Sequence, residues 1–207
     1  MNLLYLTLIW TRFNMKTIIT GLLLILPFTT LIASVDVKKV SKKKQTAQGL
    51  YMTAEEAYED KVANPSNSLF VDIRTRAELQ FVGAPGLIDL NIPYMLHDKE
   101  SWNVKKKKFS MEPNSNFSIA IDEAIKEKGL NKNSKIILIC RSGNRSAGAV
   151  NLLDQLGYKN VVTVTDGFEG GKAKTGPNKG QRVVSGWKNA GLPWSYKLDE
   201  NKMYFED

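Results

Sequence analysis

The most constraining stretch of the chain is KIILIC, residues 135–140. After Lys135 it is unbroken apolar sequence, too short for a helix of ordinary length and without polar alternation. Such a run is a strand covered on both faces. A strand of that kind needs helices above and below it, which predicts a parallel sheet. The residues after Cys140 sharpen the expectation. RSGNR carries small, polar and basic residues, and SAGAVNLLDQLG (146–157) places Ala149, Val150, Leu152, Leu153 and Leu156 on one helical face. The segment is therefore a strand, a tight loop and a helix.

The flanking sequence repeats the alternation. Thr53 with Glu56, and Thr75 with Glu78, have the spacing of capping boxes and predict two short helices. SLFVDI (68–73), GLIDLNIP (86–93) and NVVTV (160–164) predict further strands. SIAIDEAIKEKG (118–129) predicts a helix stopped at Gly129, and DGFEGG (166–171) a turn. Residues 94–117 read as a long irregular segment. The fold class is α/β, a central and mainly parallel sheet flanked by helices. In such sheets the ligand crevice lies at the carboxyl ends of the strands. Cys140 ends one strand and Asp72 lies near the end of another.

Cys140 is the only cysteine in 207 residues, so no intrachain disulfide can form. Ser142, Gly143 and Asn144 permit the tight backbone that turns N–H groups toward an anion. The helix beginning near Arg145 adds its positive end, and Arg141 and Arg145 add fixed charge. Each of these favours a thiolate over a thiol. The alternative is an inert strand cysteine beside an ordinary turn. The combination of strand, cysteine, glycine loop, arginines and helix favours a nucleophile.

The termini read differently. Met15 to Ser34, MKTIITGLLLILPFTTLIAS, has a basic start, a short apolar run and small residues at its end. That is the pattern of a secretory signal peptide; if Met15 is the true start, residues 1–14 are an extension upstream of it. Residues 1–34 are thus assigned to the signal and the protein to export, to a periplasm; retention of the segment would make it a membrane anchor. Residues 35–50 read as a solvated basic linker, 51–196 as the domain and 197–207 as a C-terminal tail. Net charge is +8, and +6 without Arg12 and Lys16. For an exported chain this favours small anions over nucleic acid.

The loop Cys140-Arg141-Ser142-Gly143-Asn144-Arg145-Ser146 resembles the active-site loop of the rhodanese-type sulfurtransferases. VDIRTRAEL (71–79), GAPGLIDLNIP (83–93), DGFEGG and GWKNAGLPW (186–194) resemble that family's other blocks, so the resemblance spans about residues 51–196. It departs where the family usually has a histidine and this chain has Ala84; residues 94–117 and 172–185 look like additions. The resemblance implies a three-layer rhodanese-like domain. It implies a cysteine persulfide as the covalent intermediate, with no separate cofactor. Thiosulfate or a persulfide would be the donor, and a thiol, cyanide or a protein the acceptor. It makes residues 141–146 the cradle of that sulfur. Cys140 and Arg145 are separated by four residues. Related cysteine-dependent phosphatases and arsenate reductases have one residue more, which widens the cradle to take a phosphate. The shorter loop favours sulfur. A carrier that binds sulfur without turnover is the alternative from another class.

Asp72 and Arg74 read as a buried ion pair bracing the loop, Glu78 as a cap and arginine partner, and Arg182 as a residue of a basic lid over 172–182. His97 is the only histidine and reads as a surface residue rather than a metal ligand.

Overall fold

The structure, a computed structural model, describes residues 40–205. The signal-peptide reading of residues 1–34 and the first part of the linker lie outside the described residues. Among the described residues, no helix is long and apolar enough to cross a membrane.

Five strands form one parallel sheet. They are β1 (Tyr51–Met52), β2 (Ser68–Asp72), β4 (Leu90–Asn91), β7 (Lys135–Ile139) and β8 (Val161–Val164), in the order β1-β8-β7-β2-β4. The apolar run KIILI is β7 and lies in the middle, where both faces are covered. Its side chains alternate between two cores. Ile136 and Leu138, with Leu69, Val71 and Ile73, pack under α3 (Phe117–Glu127) and α4 (Asn144–Gln155). Ile137 and Ile139, with Phe70 and Val164, pack against α1 (Ala54–Ala63), α2 (Arg76–Val82), Phe168 and Trp187. The period of two in a doubly covered strand thus generates a three-layer α/β domain. Both capping boxes form, at Thr53/Glu56 and Thr75/Glu78.

Three sequence readings are corrected. Residues 40–50 are not a solvated linker. Val40 is buried, Lys42–Lys44 form a 3₁₀ turn, and Gln48 uses its whole amide on the domain. Its nitrogen donates to the Tyr158 carbonyl at 2.6 Å and its oxygen accepts from the Val161 N–H at 2.8 Å. The Ala47 N–H also donates to the Asn151 side chain at 2.8 Å. Lysine density concealed this, because these docking contacts are spread over residues that no local pattern marks. The tail is likewise docked, with Tyr204 buried in the first core.

Residues 94–117 are not irregular: β5 (Met95–Asn103) and β6 (Lys108–Pro113) form an antiparallel hairpin. Its strands bury little on either face, so no apolar alternation announced it. Two smaller antiparallel pairs complete the described strands. They are β3 (Ala84–Pro85) with β11 (Trp194–Ser195), and β9 (Gly171–Lys172) with β10 (Arg182–Val184).

Parallel register brings the strand ends to one edge. Asp72 lies beside Ile139, and the Ile73 N–H donates to the Ile139 carbonyl at 2.8 Å. The β2 end, the β7 end and the loop after β8 therefore converge on Cys140.

Candidate active site

Cys140 comes directly after β7 and is 1% exposed, yet its side chain reaches the floor of a cavity of about 500 Å³. The Gly143 N–H donates to Sγ at 3.2 Å, and the Ser146 hydroxyl lies 3.6 Å from it. Ser146 in turn shares a 2.6 Å hydrogen bond with Thr163 on β8. Gly143 has φ +84° and caps α4, so the helix starts immediately beyond the sulfur. A negative sulfur here faces an amide donor and the positive end of a twelve-residue helix. Arg141, Ser142, Asn144 and Arg145 line the same cavity. Gly143 and Ser146 are buried on the inside of the loop; Arg141 and Asn144 are exposed.

The arginines divide into two roles. Arg145 makes a two-pronged bond to Glu78, at 2.7 and 2.6 Å. Glu78 also accepts from the Thr75 N–H in its capping box, so the loop is tied to the start of α2. Burial pushes the Glu78 carboxyl up, but the Arg145 bond and charge outweigh this and hold it at about 2. The folded value lies below the ordinary 4.5, so the pair's stabilisation is complete above about pH 4.5 and lost as pH falls toward 2. Acid titration of stability should accordingly show a loss across that interval that Glu78→Gln lacks. Equal acid profiles for the two proteins would remove the pair from the account.

Arg74 and Asp72 are fully buried and joined through 2.6 and 3.1 Å bonds. Neither lines the cavity. Arg74 donates to the Gly83 carbonyl at 2.8 Å and stacks 4.0 Å over the Phe168 ring. The Phe168 N–H donates to the Cys140 carbonyl, and the Glu169 N–H to the Arg141 carbonyl. The pair therefore braces the loop through Phe168. Gly167 belongs to the same support, since a Cβ there would lie 2.5 Å from the Cys140 oxygen and 2.6 Å from the Ser142 nitrogen.

Arg182 is placed differently from its sequence reading. It donates to the Gly170 carbonyl at 2.6 Å, and neither it nor the rest of 172–182 lines the cavity. The outer wall is instead the β5–β6 hairpin, through His97, Lys106, Lys108, Phe109 and Met111. His97 is a residue of that wall. Sequence reasoning also missed Lys44. Its ammonium donates to the Thr165 carbonyl at 2.8 Å, directly behind Gly143. Burial pushes its pKa down, while Cys140 and Asp166 push it up. The run of lysines at 38–44 was the only signal for it, and that run does not single out one position.

A sole cysteine on the floor of a basic cavity, at the junction of a central strand and a helix, agrees with what the family comparison finds. Residues 53–174 match the rhodanese-like domain family. The chain belongs to that family. The "Uncharacterized protein RP600 homolog" of Rickettsia rickettsii is 34% identical over 140 residues, covering 68% of this chain and 92% of that one. A shorter match, 36% identical over 61 residues, is to the "Rhodanese-like domain-containing protein 9, chloroplastic" of Arabidopsis thaliana, covering 30% of this chain and 26% of that one. Among solved structures, that of Rv0390 from M. tuberculosis superposes with a TM-score of 0.52 at 27% identity, covering 71% of this chain and 97% of that one. The rhodanese-like match ends at 174, whereas the folded body continues to Tyr204.

Proposed function

We propose that this rhodanese-like domain is a sulfurtransferase that carries sulfane sulfur on Cys140. The observation that carries the reading is the setting of Sγ. It lies at the floor of an open cavity, with the Gly143 N–H donating to it at the head of α4. The loop of four residues between Cys140 and Arg145 suits one added sulfur atom rather than a phosphate.

With thiosulfate, the Cys140 thiolate attacks the outer sulfur. A new S–S bond forms to Cys140, the old S–S bond breaks, and sulfite leaves with its electron pair. An acceptor thiolate or cyanide then attacks the outer sulfur of the Cys140 persulfide and regenerates the thiolate. No external oxidant or reductant enters either half-reaction, and the kinetics are ping-pong. Arg141 lines the cavity and has no ion-pair partner among the described residues, which supports a role for it in meeting the donor's oxyanion. Export to a periplasm is part of the proposal and rests on residues 15–34 alone.

The test is intact mass before and after thiosulfate, for the wild type and Cys140→Ser, followed by a cyanide turnover assay. The wild type should gain one sulfur and the variant none. A gain in both, or in neither, defeats the reading. Loading without repeated turnover would make the domain a carrier.

A further inference from the structure

The cavity is much larger than a thiosulfate ion. Its volume of about 500 Å³ is that of a site for an organic molecule. The part beyond the loop is built by the β5–β6 hairpin and has a definite chemistry. Lys106 and Lys108 stand on it with Phe109 and Met111, and Arg141 faces them from the loop. Among the described residues, none of these three cations has an ion-pair partner, and Glu78 in the same cavity is bonded to Arg145. Burial pushes the Lys108 ammonium below its ordinary value, and Arg141 and Lys106 push it further the same way. Like charges crowded around a cavity are relieved by an anion that enters it. Phe109 and Met111 offer that anion an apolar flank.

Resting on the sulfur-transfer reading, we infer that the hairpin forms an outer subsite for the carboxylates of a small organic persulfide. The lysines and Arg141 hold the carboxylates, and the sulfane sulfur is delivered to Cys140. The step balances. The Cys140 thiolate attacks the outer sulfur of R–S–SH, and the internal S–S bond breaks. The organic thiolate leaves with that electron pair and takes a proton from water. The transferred sulfur stays on Cys140 as S–SH. The carboxylates take no part in bond making; they set which donor is accepted.

The test compares two donors of similar size: glutathione persulfide, and the persulfide of glutathione diethyl ester, whose carboxylates are capped. Loading of Cys140 is followed by intact mass against time at low salt. The wild type should load from the carboxylate donor about tenfold faster, and the preference should shrink about tenfold in the Lys106→Ala/Lys108→Ala double variant. Added salt should erode it in the wild type as well, a measurement that needs no variant. An equal preference in both proteins, insensitivity to salt, or faster loading from thiosulfate than from glutathione persulfide overturns the subsite. Loading from no donor at all overturns the sulfur-transfer reading itself, and the subsite with it.

Discussion

Gly143→Ala is expected to lose stability and sulfur loading together. Gly143 sits at φ +84°, and a Cβ there would overlap the Thr165 carbonyl oxygen and crowd its carbon and Cα. The left-handed backbone alone costs a side chain about 1 kcal/mol. Forcing backbone apart in a packed region adds roughly 1–3 kcal/mol. The sum is about 2–4 kcal/mol, or a fall in melting temperature of roughly 5–15 °C for a domain of this size. The Thr165 carbonyl is held from behind by Lys44, so the relief must come from the loop side. That movement takes the Gly143 N–H away from Sγ. Gly157→Ala is the matched control. Gly157 has φ +88° but nothing within 4 Å of a new Cβ, so the variant should show the backbone cost alone and full loading. Similar losses in the two variants would show that packing against the loop after β8 is not what shapes the cysteine loop.

Arg74→Met should be the most damaging single substitution among the buried charges. It strands the Asp72 carboxylate in a site where both partners have no exposed surface. Breaking a buried pair from one side costs about 3–5 kcal/mol. The variant also loses the bond to the Gly83 carbonyl and the stacking on Phe168. The melting temperature should drop by about 10 °C or more. Adding Asp72→Asn should restore part of the loss, because the stranded charge is removed. A single-variant cost below about 1 kcal/mol, or no recovery in the double variant, would contradict the account of this pair as the brace.

These two substitutions mark the boundary between what was legible in the chain and what was not. Gly143 could be read as part of an anion-turning loop, because a glycine after a strand cysteine is a local signal. Its contact with Thr165, in the loop after another strand, could not. Arg74 could be paired with Asp72 from their spacing, two residues apart at a strand end. Its stacking on Phe168, and through it the support of the Cys140 carbonyl, depends on residues far along the chain. The hairpin was illegible for a different reason. Both of its strands carry charge, so no buried face imposed a period, and lysines in a loop and lysines on a cavity wall look alike in sequence.

The amino-acid order by itself determined the parallel α/β domain, the position of Cys140 at the end of its central strand, and the start of a helix just beyond it. Apolar period, capping boxes and glycine turns act over a few residues, so they are written locally. Only the tertiary structure decided which charges remain available to a ligand. It committed Arg145 to Glu78, 67 residues away, drew Lys44 out of an apparent linker to the back of the loop, and left Lys106, Lys108 and Arg141 facing the cavity. Electrostatic pairing depends on which surfaces meet, and that is settled only when the layers close.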